Sequence, residues 1–84
     1  MWQINHIILF FMEDEFKAIY RKIGVNIRKV RKSKKMTQEQ VALMAIPKLD
    51  RAKISDIENG KEDFSFSTLL RICAVLNIDV KYIL

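Results

Sequence analysis

The chain is poor in the residues that punctuate and cross-link proteins: two glycines, one proline, one cysteine and one histidine among 84 residues. So little glycine and proline leaves few sites for tight turns. That excludes a turn-rich β-sandwich and predicts long helical segments. The lone cysteine, Cys73, cannot close an internal disulfide. It falls inside an apolar pattern of helical period, where a buried thiol is the simplest reading. His6 lies far from it in sequence, and neither residue has other ligand types around it, so no metal and no cofactor are expected. This cysteine usage suits a reducing, cytoplasmic setting.

Catalytic parts are missing as well. There is no Ser, His or Cys constellation, no glycine loop to cradle phosphate, and no recognisable carboxylate pair. Asp56 and Glu58 stand two apart on an expected helix and so point to different sides. No catalytic residue is assigned, and an enzyme is not expected.

Half of the residues are apolar, enough for one small domain with a single core. The net charge of +5 suits a polyanionic partner, nucleic acid before an anionic membrane.

The first twelve residues, "MWQINHIILFFM", stand apart as a hydrophobic extension (1–12) ahead of the main domain (13–84). The apolar run Ile7 to Met12 is too short to span a bilayer, and the segment lacks the basic start and small-residue cleavage site of a signal peptide. Its composition resembles a β-strand. Two readings stand: a strand that pairs across a dimer, because a lone strand leaves backbone groups unpaired, or an artefact of a true start at Met12.

From Glu13 the period changes. Phe16, Ile19, Tyr20, Ile23, Ile27 and Val30 follow three- and four-residue steps, one face of a helix. Glu13, Asp14 and Glu15 suit its N-terminus and the basic run from Arg28 its C-terminus. Gly24 is a weak point, so either one long helix or two consecutive helices are expected. Thr37-Gln38-Glu39-Gln40 is a capping box that opens the next helix, with Val41, Met44 and Ala45 facing inward and Pro47 closing the segment. Asp50 is a good N-cap for a helix over 51–59 with Ile54 and Ile57 inward, and Gly60 suits the position just past its end. Ser65 or Ser67 caps a further helix whose buried face is Phe66, Leu69, Leu70, Cys73 and Leu76. Asp79 caps a last turn that contributes Val80, Ile83 and Leu84. The fold class is all-α, about five helices plus a strand-like extension.

The segment after Asp50 has the arrangement of a DNA-reading helix: apolar residues hold it from behind and polar ones face outward near its N-terminus. Arg51 and Lys53 can donate to guanine edges or phosphates, Ala52 can touch a thymine methyl, and Asp56 can accept from cytosine N4. The plainer reading is a solvated face of mixed charge. The cations Arg28, Lys29, Arg31, Lys32, Lys34 and Lys35 crowd eight positions. They read as a helix end complementing the dipole, or as a flank giving salt-dependent phosphate affinity. A membrane-surface helix is disfavoured because its apolar face is needed for the core.

From Ile23 to Leu84 the chain resembles the helix-turn-helix family of phage repressors and Cro, the broad Xre-like group. The matching pieces are "IRKVRKSKKMTQEQVA", "ISDIENGK" and "SFSTLLRICAVLNIDVKYIL", in that order. The resemblance implies a compact lambda repressor-like bundle of about five helices that binds palindromic operators in double-stranded DNA as a homodimer. It further implies that Thr37 and Gln38 open the first motif helix, where a phosphate is held. Ala42 matches the small residue at the close approach of the two motif helices. Arg51, Ala52, Lys53, Ser55 and Asp56 match exposed positions of the recognition helix, and Asn59, Gly60 and Lys61 the loop that passes the other phosphates. Arg31 and Glu58 match an ion pair tying the first helix to the recognition helix. The chain departs from the pattern at "LMAIPKLD", which has no glycine and two apparent extra residues. A longer first motif helix or a wider turn is therefore expected. The implied function is a sequence-specific repressor or autoregulator acting by operator occupancy. The alternatives are an antitoxin with a toxin partner, or a helix-turn-helix module kept only for protein interaction.

Overall fold

The computed structural model describes residues 6–61 and 64–84, with side chains described from residue 14 onward. Four α-helices follow one another: α1 (His6–Ser33), α2 (Gln38–Met44), α3 (Arg51–Glu58) and α4 (Phe66–Leu76). A short 3₁₀ turn, Val80–Tyr82, comes last. The all-helical architecture expected from the sequence is present, with four helices and a turn in place of five.

The extension is the main correction. Residues 6–12 continue α1 instead of forming a strand; residues 1–5 lie outside the described part. The physical reason is local: a helix satisfies its backbone groups within the segment, whereas a strand needs a second strand, and none exists among the described residues. Glu13, Asp14 and Glu15 accordingly sit inside α1 and not at its start. Arg31 and Lys32 do occupy its last turn, where cations are favourable.

Gly24 does not break α1. A Cβ there would stand 2.2 Å from the carbonyl oxygen of Ile57 and 2.8 Å from that of Glu58. The missing side chain lets α1 cross directly over the C-terminal end of α3. Just past α1, Lys35 takes the left-handed region (φ 57°), and the Met36 N–H reaches back to the Arg31 carbonyl at 3.2 Å. This closure turns the chain into α2 without glycine.

The core is built from Ile23 and Ile27 of α1, Val41 and Ala42 of α2, Ile54 and Ile57 of α3, Leu69, Ile72, Cys73 and Leu76 of α4, and Ile83. Burial pushes the Cys73 thiol up from its ordinary pKa, and the Asp79 charge adds to the effect. Asn26 ties the C-terminal segment to α1 by donating to the Ile83 carbonyl at 2.8 Å. Several residues expected inside lie on the surface: Phe16, Ile19, Met44, Phe66, Leu70 and Leu84 are all exposed, while Ile72 takes an inward place on α4. Ser65, not Ser67, caps α4, accepting from the Thr68 N–H at 3.2 Å.

Candidate nucleic-acid interface

The second and third helices form the motif. Thr37 caps α2 with the reciprocal capping box: its hydroxyl accepts from the Gln40 N–H at 3.0 Å, and the Gln40 side chain accepts from the Thr37 N–H at 2.8 Å. Helix α2 stops at Met44, so the extra residues do not lengthen it. They widen the turn instead. The Leu49 N–H bonds the Ala42 carbonyl at 3.0 Å and brings the turn back against α2, and Arg71 pins the Pro47 carbonyl from α4 at 3.1 Å. Asp50 occupies the N-cap of α3 but makes no side-chain cap.

Helix α3 is fixed from behind. Ile54 and Ile57 are wholly buried, and Glu58, one residue further on, turns inward under α1. Arg31 grips Glu58 with two donors, Nε to Oε2 at 2.6 Å and Nη2 to Oε1 at 2.9 Å, and spends a third on the Met36 carbonyl at 2.9 Å. Such a planar fork matches a carboxylate in both charge and shape. Glu58 also accepts from Gln38 Nε2 at 3.1 Å and from Arg28 Nε at 3.3 Å. Burial opposes its charge. The Arg31 and Gln38 hydrogen bonds, then the charge of Arg31 and the Arg28 bond, outweigh burial and hold the carboxyl below its ordinary pKa. The Glu58 hydrogen bond raises the Arg31 pKa against the opposing effect of burial. No buried side-chain polar atom among the described residues lacks a partner.

This arrangement leads outward to the exposed face. Arg51, the first residue of α3, donates to Gln38 Oε1 at 3.3 Å, so the side chains run Arg51 to Gln38 to Glu58 to Arg31. Arg51 and Ala52 are exposed at the N-terminal end of α3, and Lys53, Ser55 and Asp56 are half-buried along it. Asn59 is exposed but engaged: its oxygen accepts from Arg28 at 3.0 Å, and its amide donates to Ser55 at 3.4 Å. Gly60 takes a positive φ of 67°, with its Cα against Arg21, and the Lys61 N–H closes on the Asp56 carbonyl at 3.0 Å. Lys61 is exposed just past this closure.

Of the residues singled out in the sequence, hydrogen bonds join Gln38, Arg51, Glu58 and Arg31, and Asn59 to Ser55, while Ala52 and Lys61 are exposed. Two features were not read from the sequence: Arg28 reaches both Glu58 and Asn59, and Gln38 braces Glu58. The three-residue step from Arg28 to Arg31 puts both on one face of α1, a signal that was available. Of the basic run, Arg31 is buried in its ion pair while Lys29, Lys32, Lys34 and Lys35 are exposed.

Comparison with known proteins decides the class of this motif. The helix-turn-helix family model matches residues 27–83. The chain belongs to the helix-turn-helix family, of the Xre/Cro/C1 type. It is a DNA-binding transcriptional regulator.

Among solved structures, this helix-turn-helix protein is similar to the restriction-modification controller protein C.AhdI from Aeromonas hydrophila. The identity is 26%, the TM-score 0.75, and the match covers 81% of this chain and 96% of the other. The fold is also that of the clp gene regulator ClgR from C. glutamicum, at 22% identity and a TM-score of 0.71, covering 77% and 82% of the two chains. No curated protein matches by sequence. No helix among the described residues is long and apolar enough to cross a membrane.

Proposed function

We propose that the protein is a homodimeric repressor or autoregulator that reads a palindromic operator through α3 and acts by occupying it. The observation that carries this reading is the exposed N-terminal end of α3, Arg51 and Ala52, on a helix whose other side is locked by buried Ile54, Ile57 and Glu58. A reading head needs that combination, since base contacts demand fixed placement. Arg51 is the leading base-contacting residue, with Ala52, Lys53, Ser55 and Asp56 beside it. Gln38 orients Arg51 and, with Thr37 and the Asn59–Lys61 loop, faces phosphates. The exposed lysines after Arg28 add affinity without sequence preference. Arg31 and Glu58 are structural. The work is done where the DNA lies, in the cytoplasm. The similar C.AhdI, a restriction-modification controller protein, is in keeping with this role.

Footprinting on DNA upstream of the protein's own gene tests the proposal. Two protected half-sites are expected, with centres roughly 34 Å apart or a multiple of it. Uniform cleavage at every protein concentration overturns the operator reading.

A further inference from the structure

The family match begins at residue 27, yet α1 begins at His6. At 1.5 Å per residue, α1 is about 42 Å long, and the first of its described residues to join the core is Ile23. Every described residue from 14 to 19 is exposed, including Phe16 at 51% and Ile19 at 50%. Among the described residues, 14–19 of α1 are therefore an arm that the core does not use.

The arm carries a pattern. Leu9, Met12, Phe16 and Ile19 extend the line of the buried Ile23 in alternating steps of three and four in sequence, the spacing of a helix-pairing seam. Apart from Lys17, which lies between the two groups, charge along the arm is divided. Glu13, Asp14 and Glu15 fill one turn, and Arg21 and Lys22 lie about two turns further on. Two parallel arms in register set acid against acid. Two antiparallel arms, with Phe16 of one level with Ile19 of the other, set the 13–15 turn of each beside the 20–22 turn of its mate. Glu15 and Lys22 flank the seam on the same side, one heptad apart, and so meet across it twice by symmetry.

A second apolar surface, a cleft of about 440 Å³ lined by Met44, Ile46, Leu70, Arg71, Ala74 and Val75, shows no such complementarity. Its one cation, Arg71, is committed to Pro47 and Thr68.

We infer that the occupant of the arm is the arm of a second copy of this chain, packed antiparallel through Phe16 and Ile19. This deepens the homodimer reading above and rests on it, though not on DNA binding. The test is sedimentation velocity of the full chain over a range of concentrations, with circular dichroism to check that each variant is folded. Phe16→Glu, at an exposed position, makes the protein monomeric. Glu15→Lys and Lys22→Glu each weaken self-association by about tenfold or more, and the double variant restores it.

If the double variant fails to recover, the antiparallel pairing is wrong. If the arm variants stay dimeric while Leu70→Glu dissociates, the cleft is the interface and only the homodimer reading survives. A monomeric wild-type chain overturns both. A folded Phe16→Glu monomer that still binds half-site DNA in fluorescence anisotropy separates this question from DNA reading.

Discussion

Arg31 and Glu58 form a two-pronged ion pair, 2.6 Å from Nε to Oε2 and 2.9 Å from Nη2 to Oε1, and no part of the Glu58 side chain reaches solvent. The pair joins the last turn of α1 to the last residue of α3. Helix α3 has eight residues, too few to hold its own shape in water. Its position relative to α2 therefore depends on what grips it from behind. Glu58→Gln keeps the size of the side chain but leaves the Arg31 charge without a counter-charge. The expected cost is about 3–5 kcal/mol of folding stability, read from urea denaturation. A loss below about 1 kcal/mol, the value of a surface pair, contradicts a structural role for the pair.

The same carboxylate sets a pH dependence. Its pKa in the folded chain lies below the ordinary 4.5. The contribution to stability is complete above that ordinary value and is lost as pH falls through the lower native one. Urea midpoints measured from pH 7 to pH 3 are expected to drop steeply in the acid range for the wild type. For Glu58→Gln the drop is shallower. Parallel curves for the two proteins place the acid sensitivity elsewhere.

Gly24 gives a prediction whose sign separates two explanations. Helix propensity alone predicts that Gly24→Ala stabilises α1 by up to about 1 kcal/mol. The structure predicts the opposite, because the new methyl meets the backbone oxygen of Ile57 at 2.2 Å and backbone cannot step aside as a side-chain tip does. Pushing α1 off α3 is expected to cost about 1–3 kcal/mol. A raised melting temperature for Gly24→Ala contradicts the close approach.

Arg51→Ala is expected to cost about 1–3 kcal/mol of specific DNA binding and to relax preference at one base position. Equal losses on operator and random DNA rule out base reading by this residue. Lys61→Ala, by contrast, weakens all sequences alike and reduces the salt slope by about one. A slope that does not change argues against a phosphate contact at Lys61.

How much of this was legible beforehand depended on the kind of contact. The spacing of Ile23, Ile27, Ile54 and Ile57 placed each of them inward, and all four are buried. The Thr37 capping box is a local pattern and forms as its residues suggest. Periodicity marks an apolar stripe but does not say where the partner surface ends. Phe16 and Ile19 share the stripe of Ile23 yet lie beyond the core. Met44 and Leu70 failed for a related reason: each belongs to an apolar face wider than the helix packed against it. Gly24 read only as a weak point, with one helix or two left open, because its reason is the α3 backbone, far away in sequence. The strand-like extension expected at 1–12, of which residues 6–12 are described and helical, came from composition, which ranks β-branched and aromatic residues without supplying the second strand that a sheet requires. The Arg31–Glu58 pairing came from family resemblance; the Gln38 and Arg28 contacts that complete it depend on tertiary geometry.

The most direct measurement of the central claim is fluorescence anisotropy of the full chain with DNA from upstream of its own gene, against a scrambled duplex, at several salt concentrations. Operator reading predicts a specific affinity at least about a thousandfold above the scrambled control, with affinity falling steeply as salt rises. Weak binding that is equal on both duplexes contradicts it.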